Sequence, residues 1–231
     1  MNTTYVILII IGIIAIIIVG VVLKHQKSEG RKKELAGWAF SKGLNFNPAR
    51  DSGIDNQYSH FKSLQRGENR YGYNVVEGNV GNRPMRAFDY HYETHHTDSK
   101  GQRHTQHYYF SAVVIEANLP LKPLFIRNER LFDKLAEFIG FDDIDFESAE
   151  FSKKFYVKSP DKKWAYDVLH QATMEFMLGA PRFDIEFGGR QVIAYRNNTF
   201  KTVEFEEALN LVNGILDRLP ESLIQELKES K

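Results

Sequence analysis

The residues with the clearest capacity for chemistry are histidines gathered in one segment. Of the eight histidines in the chain, five lie between positions 89 and 109, with acidic residues among them. Neutral imidazoles and carboxylates bind Zn²⁺, Cu²⁺ or Ni²⁺ when two or three of them converge. The candidate metal ligands are His91, Glu93, His95, His104 and His107.

The register of an antiparallel hairpin decides which of these ligands meet. If His95 pairs with His104, one face of the hairpin carries both of them together with His91 and Glu93. With a register shifted by one residue, His91 instead faces His107, and His95 stays on the same side. The spacing of the histidines does not by itself select a ligand set. A long solvated hairpin without metal is the simpler alternative, and joint protonation of the histidines in mild acid is a third.

Aromatic side chains are dense in the same segment. Tyr90, Tyr92 and Tyr108 are the candidates for contact with a partner, since aromatic residues line many binding grooves. Packing between antiparallel strands explains the same residues and is the simpler explanation.

Several classes of chemistry have no support in the sequence. The chain contains no cysteine, which excludes cysteine catalysis and a disulfide framework. The motifs G-x-x-x-x-G-K-[ST], G-x-S-x-G and H-E-x-x-H are absent. We predict no catalytic residue and no cofactor, and a catalytic role remains open only through a metal at the histidines.

The N-terminal part of the chain predicts a membrane anchor. Residues 5–23 are uncharged and strongly apolar, and as a helix they cover about 28 Å, close to the hydrocarbon thickness of a bilayer. A cleaved signal peptide is the competing interpretation. It is disfavoured because the apolar run is too long, and because Lys24-His25-Gln26 stands where small residues are required.

Charge gives the anchor a direction. Basic residues follow the apolar run and none precedes it, so the positive-inside rule places residues C-terminal to the anchor in the cytoplasm and the N-terminus outside the cell membrane. The same basic residues are candidates for contact with anionic lipid. They are Lys24, Lys27, Arg31, Lys32 and Lys33. Residues 34–231 carry 25 basic and 29 acidic side chains, a balance of −4 that disfavours a nucleic-acid partner.

Hydrophobic periodicity predicts an α+β fold of antiparallel sheet packed with about three helices, after one transmembrane helix. We divide the chain into an anchor (1–23), a basic connector with a short helix (24–45) and a soluble domain (46–231). The connector helix is expected over 28–42, with a hinge at its start. Later elements are expected as a meander over 58–117, a helix over 129–139, a strand over 151–158, a helix over 160–178 that Ser159 can cap, a hairpin turning at 188–190 and a helix from about 202. The last helix carries an apolar stripe of Phe205, Leu209, Val212, Leu216 and Leu219.

One stretch resembles a known family. The segment from Phe146 to Leu178 is similar to the central part of an uncharacterised bacterial family of membrane-anchored proteins, in which an acidic-Phe step, an F-x-V-x-S strand, an Asp and an M-E-x-L helix recur. Here these features are matched by Glu150-Phe151, by Phe155 to Ser159, by Asp161 and by Met174-Glu175, where Phe176-Met177 departs from the pattern. The resemblance implies the same layout of anchor and soluble domain. It implies no activity, because the family is a domain of unknown function.

The sequence thus favours a non-catalytic module that is tethered to the membrane through residues 5–23 and binds another protein. Two alternatives stay open. One is a metal-binding protein or metal-dependent enzyme that uses the histidine-rich hairpin. The other is a lipid or envelope-stress sensor that uses the basic residues beside the anchor.

Overall fold

The computed structural model describes residues 3–128 and 144–229. The elements in chain order are α1 (Thr3–Ser41), β1 (Asn45–Asn47), α2 (Ile54–Gln57), a 3₁₀ helix (Lys62–Gln65), β2 (Glu68–Val80), β3 (Arg83–Thr97), β4 (Arg103–Asn128), α3 (Ala149–Lys154), β5 (Phe155–Lys158), α4 (Lys162–Val168), α5 (Gln171–Gly179), β6 (Asp184–Arg196), α6 (Thr202–Leu216) and α7 (Glu221–Glu229). The predicted α+β class is confirmed.

A six-stranded antiparallel sheet organises the domain around the long strand β4. Strands β3, β2 and β1 follow one another outward from one edge of β4, and β5 pairs with the far end of β4. Strand β6 lines the opposite edge. The meander predicted for this region is confirmed as β2, β3 and β4, and the first of its turns contains Gly81, whose φ is +60°.

The two faces of the sheet bury separate apolar clusters. Because side chains alternate along a strand, Met85 and Ala87 of β3 join the larger cluster, together with residues of α1 and of α4 to α7. Phe88, Tyr90 and Tyr92 point to the other face and pack against the segment that contains α2 and the 3₁₀ helix. The domain is therefore a sheet covered on both faces.

Helix α1 is continuous from the apolar run into the domain. The hinge expected at 28–30 is absent, and Leu35, Trp38 and Ala39 are buried in the larger cluster. Their spacing of three and four residues places them on one side of the helix. Phe40, which is also apolar, is 88% exposed, because it lies about 100° further around the helix than Ala39.

In the described part of the chain, α1 is the one helix long and apolar enough to cross a membrane. Its most apolar window is not buried against the rest of the protein, unlike a core helix of the same composition. A single N-terminal membrane-spanning helix is therefore compatible with the whole fold, because the sheet and the later helices are built without those residues.

The prediction of a hairpin that turns at 188–190 is wrong. Residues 184–196 form one strand, β6, which pairs with β4 along its length and has an irregular register near Gly189. A Cβ atom on Gly188 would lie 2.9 Å from Cδ2 of His60. Glycine is needed at position 188 because the His60 ring approaches the backbone closely. Gly189, with a φ of +59°, adopts the left-handed backbone conformation at the irregularity in the register.

Two further boundaries differ from the expectation. Residues 149–154 form the helix α3 in place of the first half of a strand, because the Ser148 side chain accepts a hydrogen bond from the Phe151 amide and caps it. The helix expected over 160–178 is two helices, α4 and α5, with a break at His170. The cap of α4 is Asp161, whose side chain accepts a hydrogen bond from the Trp164 amide at 3.0 Å.

Two expectations concern the remaining helices. The helix predicted over 129–139 lies outside the described residues. The helix predicted from about Thr202 is confirmed as α6, and its predicted stripe of Phe205, Leu209, Val212 and Leu216 is buried.

A buried carboxylate joins the sheet to the segment that covers its second face. Glu186 lies on β6, and its two oxygens accept hydrogen bonds from the backbone amides of Lys62 (2.6 Å) and Ser63 (3.0 Å) at the start of the 3₁₀ helix. Burial raises the pKa of the Glu186 carboxyl above its usual value of 4.5, although these donors act in the opposite direction.

The raised pKa of Glu186 predicts a pH-dependent effect of Glu186→Gln. A group whose pKa is higher in the folded state contributes stability below its unfolded pKa and loses that contribution as the pH rises through its folded pKa. We therefore expect the free energy of unfolding of the wild type to fall relative to that of Glu186→Gln as the pH rises from about 4.3. Urea titrations of both proteins at several pH values test this. A difference that is constant with pH would contradict it.

Candidate functional site

The hairpin register decides which histidines meet. In the structure His95 pairs with Thr105, Glu93 with His107 and His96 with His104. This register is shifted by one residue from a pairing of His95 with His104, and it places His91 beside His107 with His95 on the same side, as in the second arrangement considered from the sequence. Because side chains alternate, His95, Glu93 and His107 lie on one face of the hairpin together with His91, and His104 lies on the other.

Three of the five predicted ligands come together. Nε2 of His91 lies 3.1 Å from Nδ1 of His107. Oε1 of Glu93 lies 3.7 Å from Nε2 of His91 and 3.2 Å from Nδ1 of His107. The group lies where the face that carries the larger cluster runs beyond the helices, so its members range from buried (His91) to half-exposed (His107).

Asn69 on β2 orients two members of this group. Its backbone carbonyl lies 3.1 Å from Nδ1 of His91, and its side-chain amide donates to Oε1 of Glu93 at 2.6 Å. Asn69 has a φ of +49°, a conformation that asparagine adopts more readily than most residues. The His91 ring packs between Tyr71 (4.5 Å between centroids) and Tyr109 (4.8 Å).

The environment sets the protonation of these groups. Burial lowers the pKa of His91 below its usual value. The hydrogen bond from Asn69 and then the nearby histidines lower the pKa of Glu93. At neutral pH His91 is therefore neutral and Glu93 ionised, and these are the forms that ligate metals.

The other two predicted ligands lie apart from this group. Nδ1 of His95 contacts the Thr105 hydroxyl at 3.0 Å, further toward the hairpin tip. Nε2 of His104 lies 3.1 Å from Asp98 on the opposite face. The structure therefore divides the five candidates into a cluster of three and two separate histidines.

The tyrosines proposed for partner contact lie largely inside the protein, which corrects that expectation. Tyr90 is fully buried, and its hydroxyl donates to the Leu64 carbonyl at 2.7 Å. Tyr92 is also buried and stacks on the partly buried Tyr108 at 4.8 Å. Both strands carry these rings toward the second apolar cluster, where they pack as core residues.

The basic residues that follow the anchor differ in their environments. Lys24, Lys27 and Lys33 are exposed along α1, and Lys32 makes a surface ion pair with Glu29. Their contact with lipid stays a prediction.

Arg31 instead points into the domain. Its Nη2 and Nε donate to the two oxygens of Asp89 at 2.9 and 3.2 Å. Asp89 is 1% exposed and also accepts from Asn74 at 3.0 Å and from the Ser111 hydroxyl. This network was not predicted from the sequence. The sequence contains one signal of the network. Asp89 follows Met85 and Ala87 at alternate positions of the strand, so its side chain is directed toward the buried face, where a charged group requires a partner.

Comparison with known proteins identifies a fold but no family. No protein-family model matches this chain, and no curated protein matches it. Among solved structures, the chain is similar to the crystal structure of the mycobacterial trehalose monomycolate transport factor A, TtfA. The TM-score is 0.60 at 12% identity, over 81% of this chain and 93% of that one. At this identity the likeness concerns the fold alone, and the resemblance of residues 146–178 to an uncharacterised family stays a prediction.

Proposed function

We propose that this chain is a non-catalytic membrane module that holds a protein-binding domain against the cytoplasmic surface of the cell membrane. The observation that carries the proposal is the continuity of α1, which passes from the apolar run into the domain core without a break. A flexible linker would localise the domain but leave its orientation free. A continuous helix fixes the orientation as well.

The geometry of α1 keeps the domain close to the membrane surface. Arg31, which contacts Asp89 in the domain, lies eight residues after Leu23, the end of the apolar run. This is about 12 Å along a helix. Lys24 and Lys27 lie in this interval and are exposed, at a height where anionic head groups attract basic side chains.

Contacts near the end of α1 hold the helix against the domain at a second point. The Trp38 ring stacks on Phe205 of α6 at 5.3 Å, and its indole nitrogen donates to Glu206 at 3.1 Å. Together with the Arg31–Asp89 pair, these contacts resist rotation of the domain about the helix. A domain held in this way presents the same surface to every protein that lies beside it in the membrane.

Two further points favour binding over catalysis. The sequence carries no established catalytic motif. The solved structure with a similar fold is named a transport factor, and a non-catalytic membrane-associated role is consistent with that name.

The orientation is tested with a phosphatase reporter that is active only outside the cytoplasm. We expect a fusion at the C-terminus of the full chain to be inactive, because the basic residues after Leu23 retain the domain in the cytoplasm. The control replaces residues 1–23 with a signal peptide for export, and it must yield an active fusion. Activity of the full-chain fusion would overturn the proposed orientation.

Crosslinking in native membranes tests the binding role. The wild type is compared with a chain that carries a Gly/Ser insertion between Lys27 and Ser28, which keeps both the anchor and the domain but frees the orientation. We expect one dominant crosslinked membrane protein with the wild type and a lower yield with the insertion. A second variant joins Thr94 to Gln106, which pair in the hairpin, through Asn-Gly and so removes the exposed tip. Absence of any specific crosslink to the wild type would contradict the binding role.

A further inference from the structure

We propose that His91, Glu93 and His107 form a binding site for one divalent transition-metal ion, with Zn²⁺ as the ion that fits best. This inference does not depend on the proposed function, because it rests on ligand geometry alone. Two imidazoles and one carboxylate form a ligand set found in zinc sites that retain an open coordination position.

The separations between the three ligand atoms match those in a zinc site. Zinc binds histidine nitrogen and carboxylate oxygen at about 2.0–2.1 Å, so two ligands of a tetrahedral site lie about 3.3–3.4 Å apart. The three observed separations are 3.1, 3.2 and 3.7 Å. An ion can therefore sit between these atoms after side-chain shifts of a few tenths of an ångström, without movement of the strands.

The hydrogen bonds around the group orient it for an ion. With its Nδ1–H donated to the Asn69 carbonyl, His91 presents the lone pair of Nε2 to the other two ligands. The side-chain amide of Asn69 holds Glu93 in place. Outer hydrogen bonds of this kind fix the tautomer of a ligating histidine and raise its basicity.

In the absence of an ion, a shared hydrogen bond accounts for the short separations between the same three atoms. Nδ1–H of His107 then donates to Nε2 of His91 or to Oε1 of Glu93, both of which lie within reach. An ion takes the place of this proton, and neutral His107 changes to the tautomer that carries its proton on Nε2. The exchange moves the three side chains by no more than a few tenths of an ångström, so nearly the same geometry serves both states.

Access from solvent comes from the side of His107. Its side chain is 51% exposed, whereas those of Glu93 and His91 are 14% and 2% exposed. A water molecule can therefore complete the coordination, and the ion can enter and leave without unfolding of the hairpin. Three protein ligands with one open position distinguish this site from a closed structural zinc site.

The test uses the full-length chain in detergent, purified without a histidine tag and stripped with a chelator. Zn²⁺ is titrated and the bound metal per chain is measured by elemental analysis, and Co²⁺ is used as a spectroscopic probe of four-coordination. The test variants are His107→Gln and Glu93→Gln, the second of which keeps an acceptor for Asn69. The matched control is His104→Gln, because His104 lies on the same strand, faces the other way and is 48% exposed.

We expect one ion per chain in the wild type and in His104→Gln. Affinity should fall by about 100-fold or more in both test variants, since loss of an outer partner alone costs about 10- to 100-fold. Zn²⁺ should also raise the melting temperature of the wild type and the control but not of the test variants. The proposal is overturned if the stripped wild type takes up no stoichiometric ion. It is equally overturned if His104→Gln loses as much affinity as His107→Gln, since the binding would then belong to the exposed hairpin histidines in general.

Discussion

Replacement of Arg31 by methionine is expected to lower the free energy of unfolding by about 3 kcal/mol, because it leaves the Asp89 carboxylate buried without its cation. Asp89 is 1% exposed, and the guanidinium group of Arg31 reaches both of its oxygens. Asn74 and Ser111 continue to donate to the carboxylate but supply no charge. Equilibrium unfolding in urea, followed by circular dichroism, measures the change.

A control on the same helix separates this effect from the general loss of a basic residue. Lys32→Met removes an exposed ion pair with Glu29, and we expect no measurable change in stability. The double variant Arg31→Met with Asp89→Asn should lose less stability than the sum of the two single variants, because each removes the same interaction. Additive losses would show that the pair does not couple α1 to the sheet.

Gly67→Ala is expected to cost about 2–5 kcal/mol, from the sum of a strained backbone and a direct collision. Gly67 has a φ of +59°, which non-glycine residues adopt at a cost of about 1–2 kcal/mol. A Cβ atom there would collide with the backbone carbonyl oxygen of Glu93 and with the Tyr92 ring. The backbone of β3 cannot move away without breaking its pairing with β4, so the collision is not relieved locally.

Gly81 provides the matched control for this prediction. It has nearly the same backbone conformation, with φ +60°, but a Cβ atom there would meet nothing within 4 Å. Gly81→Ala should therefore show the conformational cost alone, about 1–2 kcal/mol. Chemical denaturation of both variants gives the comparison. Equal losses at the two positions would mean that the contact between Gly67 and β3 does not contribute.

Local patterns were sufficient wherever a structure depends on neighbouring residues. The apolar run over 5–23, the alternation of the meander and the stripe of α6 each repeat with the period of their element, and each was predicted. The cap predicted for α4 was wrong. Asp161, and not Ser159, caps α4, because it is Asp161 whose side chain reaches the free Trp164 amide.

Long-range contacts decided the features that local patterns misread. Gly188 and Gly189 have the composition of a turn, yet they lie within one strand because the residues on both sides of them pair with β4, and His60 packs against their backbone. Arg31 lies among basic residues typical of a membrane flank, yet it is directed into the core by Asp89. In both cases the partner lies too far along the sequence for any periodicity to indicate it.

By itself, the amino-acid sequence determined the long apolar N-terminal helix, the fold class and the concentration of histidines and carboxylates in one hairpin, because these follow from composition and period. Only the tertiary structure decided which side chains meet. A register shift of one residue exchanges the two faces of a hairpin. The pairing of Glu93 with His107 therefore brought three of the five candidate ligands together. Tyr90 and Tyr92 are buried because the segment that contains α2 and the 3₁₀ helix covers their face of the sheet.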